Sequence, residues 1–348
     1  MKKGPTGNSI ISRSEPEDIL ILAPNWLGDA VMSLPMIAAA ANTWKSASIT
    51  VGCLDYVAPV FMRSGIGVRT VEWGKEDGLW TRAGKLMQTR PENGWAAVFI
   101  LPPSFSSALT ALLTRSRERI GYATDGRRSL LTRSIRGTQL KDGHLSDSFI
   151  RLLKMMPGTG RVEVQEPALY RSERWADTLS REGISGDYFV LAPGATYGTA
   201  KMWPRERYSR LAGDLGLQTG WLPVIIGSGA ERQVAEDIIA GSPVDGVVVA
   251  GKASTGEMID IIGGARLFIG NDSGPAHISA ALGLPTVALF GSTSPEWTAP
   301  RGGKVSVLYS GLGCSPCFRR ECPLGTLQCL KDISVASVMD AAMKIIET

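Results

Sequence analysis

Short apolar runs alternate with helical patterns along nearly the whole chain, and this alternation restricts the fold more than any other feature. DILILA (18–23), ASITVG (47–52), VRTVEW (68–73) and AAVFIL (96–101) form a first series. YFVLAP (188–193), LPVIIG (222–227), VVVAG (247–251), RLFIG (266–270), TVALFG (286–291) and VSVLYS (305–310) form a second. Between 30 and 41, Val31, Leu34, Ile37, Ala38 and Ala41 recur at helical spacing, with Pro35 placed to kink the helix. Further helices are expected near 204–216, 230–240, 255–263 and 275–282. Near-continuous apolar strands alternating with helices predict parallel sheets covered on both faces. Two series predict two doubly wound, Rossmann-like α/β domains. The charged, turn-rich stretch 157–187 is the expected boundary. The expected division is a polar leader over 1–17, a first domain over 18–175, a second over 176–332, and a terminal helix within 333–348 that packs back on the first domain. No repeat with a period of 20–50 residues interrupts this pattern.

The 348 residues suffice for two domains, and 44% hydrophobic with 20% charged residues is a globular balance. No apolar run reaches the ~18 residues that a membrane span needs. The opening MKKGPTGNSIISRSEPED lacks the apolar region of a secretory signal, so the cytoplasm is the expected compartment.

Three strand–turn–helix segments carry candidate chemistry. APNWLGDAVMSLP (23–35) places Asp29 at a helix start, just past the carboxyl end of the first strand. In open parallel sheets ligands bind at that end of the strands. Asp29 reads either as a general base held ionised by the helix dipole or as a helix cap. PGATYGTAKMWP (193–204) places Lys201, with Thr196 and Thr199, in a turn suited to an anion. In IGNDSGPAHISAALGLP (269–285), Gly274 permits close backbone approach and Pro275 at the first helical turn loses no hydrogen bond. The free N–H groups of that helix start suit a phosphate. Two anion-suited turns in one domain point to a diphosphate. Gly227-Ser228-Gly229, before Glu231, resembles the start of a nucleotide-binding turn without completing G-x-G-x-x-G.

NWLGDAVMSLP, PGATYGTAKMWP and NDSGPAHISAALGLPTVALFGSTSPEWTAP, in this order, resemble glycosyltransferase family 9, the inner-core heptosyltransferases, over residues 18–346. The PGA-x3-TAK-x-WP turn resembles the members that add the second heptose; those adding the first carry a His-started turn there. The resemblance implies a GT-B architecture with the donor in the second domain. It implies inverting transfer of L-glycero-D-manno-heptose from ADP-heptose to the first heptose on Kdo–lipid A. By motif, Asp29 deprotonates the acceptor hydroxyl and Lys201, helped by Thr196, neutralises the leaving diphosphate. Asp272, Ser273, Gly274, Pro275 and His277 form the phosphate-binding helix start, while Glu231 and the Lys252–Ser254 loop face the ribose and adenine. The chain has no D-x-D, so no metal is expected in catalysis. The acceptor implies peripheral contact with the cytoplasmic face of the inner membrane. A family member with a different sugar donor or acceptor, such as one adding the first heptose, is the alternative. A sugar-nucleotide epimerase of the same shape and a non-catalytic binding protein are the readings from other classes.

Two features stand outside the motifs. Between 115 and 141, Arg115, Arg117, Arg119, Arg127, Arg128, Arg133, Arg136 and Lys141 oppose only Glu118 and Asp125. The stretch reads as a solvated face or as a landing surface for the acidic lipid acceptor. Without interleaved aromatics it does not suggest nucleic acid. Cys314, Cys317, Cys322 and Cys329 form C-x2-C-x4-C-x6-C, which reads as a site for structural zinc or an iron–sulfur cluster, or as a loop of reduced thiols, with no evident route to the transfer chemistry. Cys53, alone in an apolar strand, is expected in the core.

Overall fold

The computed structural model describes residues 16–157 and 159–347. The expected leader therefore lies, except for its last two residues, outside the described residues. The first sheet is parallel and contains β1 (Asp18–Leu22), β2 (Ser48–Leu54), β3 (Arg69–Trp73), β4 (Ala97–Ile100), β5 (Glu118–Ala123) and β6 (Arg133–Arg136), in the order β3-β2-β1-β4-β5-β6. The second contains β7 (Tyr188–Ala192), β8 (Leu222–Ile225), β9 (Val247–Val248), β10 (Leu267–Asn271), β11 (Thr286–Phe290) and β12 (Val305–Tyr309), in the order β12-β11-β10-β7-β8-β9. Counted within each domain, both sheets have the order 3-2-1-4-5-6. Each reverses direction at its first strand, between β1 and β4 and between β7 and β10. Such reversal points open a crevice at the carboxyl ends of the strands.

β1 is the centre of the first sheet, and its Ile19, Leu20 and Ile21 have no exposed surface. This follows from helices covering both faces. The sequence pattern identified four strands of this sheet but not β5 and β6. Those two carry Arg119, Arg133 and Arg136 and are the last strands on one side of the sheet, with β6 at its edge; Arg119 and Arg133 are half-buried and Arg136 is exposed. Pro35 sits inside the Leu27–Thr43 helix without ending it, and the helix is buried on most of its circumference. It packs against the Leu145–Leu153 helix of its own domain and the Gly274–Ala281 helix of the second.

The segment joining the domains is held from both sides. Leu169 donates its N–H to the Ala281 carbonyl and Tyr170 donates to that of Arg63, each at 2.9 Å. The buried Asp260 carboxylate accepts from the Ser172 N–H (2.6 Å) and hydroxyl (2.7 Å). The terminal helix, Val335–Ile346, does not return to the first domain as the sequence suggested. Val338, Ala342 and Ile345 join Val287, Leu289 and Leu330 in the core of the second domain, where β11 and the Arg205–Thr219 helix cover the apolar face. Cys53 is buried in β2, as expected of a lone apolar-strand cysteine. Among the described residues no helix is long and apolar enough to cross a membrane.

Candidate active site

Two helix starts meet where the domains face each other. Each uses a glycine at the point of closest approach. A Cβ on Gly28 would lie 2.8 Å from Cδ2 of His277, and one on Gly274 would lie 2.7 Å from Cβ of Leu27. The β1 turn of the first domain is thus pressed against the β10 turn of the second. This contact places Asp29 opposite Lys201 and Asp272.

Asp29 is the third residue of its helix, and Trp26 at the cap position supplies no side-chain hydrogen bond. No hydrogen bond holds the Asp29 carboxylate among the described residues, so it does not serve as the cap that its position allows. Burial pushes its pKa up to about 6, against the pull of Lys201 and with a further push from Asp272. A carboxylate in that state is ionised near neutrality yet binds a proton readily, as a general base must.

The second domain holds its charges by a dense network. Lys201 ends a single 3-10 turn, Thr199–Lys201. Its Nζ donates to Oδ2 of Asp272 at 2.5 Å and to the Asp272 carbonyl at 3.2 Å. The Thr293 hydroxyl donates to the same Oδ2 at 2.5 Å. Asp272 is only 4% exposed, so the pair is shielded from water and salt. Behind it, Asn271 uses both ends of its amide. Nδ2 donates to the Pro193 carbonyl (2.6 Å), and Oδ1 accepts from the Trp203 N–H and the Tyr208 hydroxyl, each at 3.1 Å. Asn271 therefore fastens the 193–203 turn to β10. The sequence reading gave it no role, although a polar residue closing a wholly apolar strand is a usable signal. Trp203 completes the attachment: it is buried, and its indole N–H donates to the Ile333 carbonyl at 2.9 Å.

The other expected site residues divide. Ser273 stands at the cap position of the Gly274–Ala281 helix without capping it, and its buried hydroxyl has no partner; neither has that of Ser292, beside Thr293. Buried hydroxyls are normally paired, and these two, beside Asp272 and Thr293 in sequence, are not. Pro275 opens the helix. His277 is buried, with Nε2 4.0 Å from Asp272 Oδ1, and burial pushes its pKa down to about 4. It is a neutral imidazole against Gly28, not a cation at the phosphate position. Thr196 is exposed at the tip of its turn. Glu231 completes a capping box by accepting from the Ser228 N–H (2.6 Å) and hydroxyl (2.8 Å) through Oε2. Its carboxylate lies against the bare Cα of Gly194, which bridges the 193–201 and 227–231 turns. Ser254 spends its hydroxyl capping the Thr255–Gly264 helix.

The basic stretch is not one surface. In a parallel sheet its residues fall at opposite ends of the strands. Arg115 and Arg117 precede β5, on the side away from the crevice. Arg127 is wholly buried and donates to the carbonyls of Tyr122, Pro102 and Ser104. Arg119 is bound to the carbonyls of Leu130 and Ser116, and Arg133 pairs with Glu118. Only Arg128, Arg136 and Lys141 lie beyond the carboxyl ends of β5 and β6 with exposed side chains.

The zinc expectation is not supported. Among the described residues no group of three or more His, Cys, Asp or Glu side chains could hold a metal ion, and all five cysteines are free. Cys314 is exposed and Cys317, Cys322 and Cys329 are half-buried, with Cys329 within electrostatic reach of the other three thiols.

Comparison with known proteins agrees with this geometry. The family model described as "Glycosyltransferase family 9 (heptosyltransferase)" matches residues 84–328. Lipooligosaccharide heptosyltransferase 2 of Haemophilus influenzae is 26% identical over 310 residues, covering 84% of this chain and 88% of that protein. Lipopolysaccharide heptosyltransferase 2 of Escherichia coli K12 is 25% identical over 344 residues, covering 92% and 96%. The solved structure of E. coli ADP-heptose LPS heptosyltransferase II superposes with a TM-score of 0.80 at 24% identity, covering 94% of this chain and 98% of that one. Two Rossmann-like domains facing a crevice constitute the GT-B architecture expected from the motifs.

Proposed function

The chain belongs to glycosyltransferase family 9, and from that footing we propose that it transfers L-glycero-D-manno-heptose from ADP-heptose to the first heptose of the lipopolysaccharide inner core. The observation that carries the proposal is the meeting of an unbonded carboxylate, Asp29, with the Lys201–Asp272 ion pair across the domain boundary.

In this reading Asp29 takes the proton from the acceptor hydroxyl as that oxygen bonds to the anomeric carbon of the donor. The bond from that carbon to the ADP oxygen breaks on the opposite side, which inverts the configuration. Charge grows on the departing diphosphate. Lys201, the N–H groups of the Gly274–Ala281 helix start and the unpartnered hydroxyls of Ser273 and Ser292 meet it there. These groups are fixed before the reaction, so little reorganisation accompanies the change. They supply the charge stabilisation that a divalent cation gives in other sugar transfers, and the proposed reaction runs without one. Glu231, free at Oε1, and Thr196 complete the donor site toward the ribose and the diphosphate. The protein acts in the cytoplasm, with Kdo–lipid A bearing one heptose presented at the inner-membrane face. The exposed Arg128 and Arg136 meet the acceptor's phosphates and carboxylates.

The test is ADP release from ADP-heptose with and without heptosyl-Kdo–lipid A, in the presence of a chelator. Acceptor-dependent release is expected. Release only with an acceptor that lacks the first heptose would replace this reading by first-heptose transfer, and ADP binding without release would transfer the search to another sugar.

A further inference from the structure

The cysteine-bearing loop has a direct route to the reacting groups. The Arg320 carbonyl accepts from the Ala200 N–H at 3.0 Å, one residue before Lys201. It also packs on the bare Cα of Gly198, where any Cβ would collide with it. The Phe318 carbonyl accepts from the Tyr197 hydroxyl at 2.7 Å. On its other side, the Phe318 N–H donates to the Ser292 carbonyl at 2.7 Å. One loop therefore fixes both the Lys201 turn and the turn that presents Ser292 and Thr293. Phe318 takes a left-handed backbone conformation (φ +54°), which a bulky residue keeps only when its surroundings demand it. Here the demand is visible. Its ring packs edge-on against Trp297, with centroids 5.9 Å apart, and Lys141 of the first domain lies 5.2 Å above it.

The side chain of Arg320 stays at the surface. Its guanidinium lies 5.6 Å from the centroid of the Tyr197 ring, and Lys201 Nζ lies 5.2 Å from the same centroid. The two cations share one ring. Their charges are not equally committed. Lys201 is neutralised by Asp272, whereas no carboxylate pairs with Arg320 among the described residues. A diphosphate brings at least two negative charges. Lys201, already paired with one carboxylate, and a helix start worth about half a charge do not balance them. A planar guanidinium also matches phosphate oxygens two at a time.

We propose that Arg320 is a donor-binding residue, its guanidinium pairing with the diphosphate of a nucleoside-diphosphate sugar beside Lys201. The proposal rests on the donor reading above and adds a residue outside the motifs that carry it. Lys201 acts from within the buried network, and Arg320 closes over the diphosphate from the solvent side, on a loop that also contacts the first domain through Lys141.

Titration calorimetry with ADP, on the whole protein, tests it. Arg320→Ala is expected to weaken ADP binding about tenfold, Arg320→Lys to recover part of the loss, and Arg319→Ala to bind as wild type. Adenosine, which carries no phosphate, should bind wild type and Arg320→Ala equally. Equal ADP affinity of wild type and Arg320→Ala overturns the assignment, as does an equal loss in Arg319→Ala, which would mark diffuse surface charge. Wild type that binds no ADP overturns the donor reading and this assignment with it. Binding by wild type and undiminished binding by the variant overturn the assignment alone.

Discussion

The two domains use one strand order and equip its crevice in opposite ways. At the end of β1 stands Asp29, a carboxylate without a hydrogen bond. At the ends of β7 and β10 stand Lys201, Asn271 and Asp272, each held by two or more hydrogen bonds. The difference fits the roles proposed for the two, Asp29 as base and Lys201 as the cation at the leaving group. A base has to gain a proton, and hydrogen bonds to its charged form would lower its affinity for one. Desolvation without partners raises that affinity, and for Asp29 it does so to about 6. A cation proposed to meet a leaving group gains from being fixed, and Lys201 is held by a buried anion, which is held in turn by Thr293 and by the main chain of β10 and β11.

The strongest way to break this contrast is Asp29→Asn. Turnover is expected to fall about 10²–10⁴-fold, with ADP affinity near that of wild type, measured by ADP release and calorimetry together. In wild type, kcat/KM should rise with pH through an acid limb near 6, where the carboxylate ionises. Stability should show the opposite sign. The folded protein holds the Asp29 proton more tightly than the unfolded chain, so the contribution of this group is present below about 3.8 and lost as pH rises through about 6. The asparagine variant, uncharged throughout, is therefore expected to be the more stable protein at pH 7 and to lose that advantage below pH 4, in denaturant titrations at the two pH values. A variant less stable at both would mean that the carboxylate is held by favourable contacts after all.

Lys201 sharpens the contrast from the other side. Lys201→Ala is expected to slow release about 10²–10³-fold and to leave the Asp272 carboxylate buried without its counter-charge, at a cost of roughly 3–5 kcal/mol. Adding Asp272→Asn should return much of the stability and none of the rate. Recovery of both would place the catalytic charge elsewhere. Smaller again is Gly28→Ala. Its methyl would meet the His277 ring at 2.8 Å, so the two helix starts must separate. About a tenfold loss of turnover is expected, with ADP affinity unchanged because the proposed donor residues all lie in the second domain.

Legibility in the sequence followed the same divide. The apolar strands and the three turns were readable because local pattern and burial coincide there: Ile19 to Ile21 and Leu267 to Ile269 are apolar in sequence and sealed in the fold. The last two strands, β5 and the edge strand β6, were not, because arginines interrupt them and leave no apolar run to find. Asp29 and Lys201 were readable as chemistry, but not as bonded or unbonded, since Asp272 joins Lys201 only after β7 and β10 pair. The roles of Asn271 and Arg320 were invisible for a similar reason. Each acts through contacts 78 to 120 positions away along the chain, at the Pro193 carbonyl and the Ala200 N–H. The terminal helix has an apolar face that composition alone fits to either domain, and only the sheet face offered by β10, β11 and β12 decides where it packs.

The smallest expected effect concerns the first domain's other charges. If the crevice side of that domain receives an acidic acceptor, then its free cations should matter by position and not by number. Arg128 follows β5 and Arg136 ends β6, both at the end of the sheet where Asp29 stands, whereas Arg115 and Arg117 precede β5 at the far end. Each pair removes the same formal charge. The Arg128→Ala/Arg136→Ala double variant is expected to raise the KM for the lipid acceptor several-fold with kcat and ADP affinity unchanged, because exposed charges steer and weakly hold a ligand without touching the reacting atoms. The effect should shrink as salt is added. Arg115→Ala/Arg117→Ala should leave all three quantities as they are. Equal effects of the two pairs would mean that the acceptor senses net charge alone, and the division of the basic stretch by the ends of the sheet would have no functional meaning.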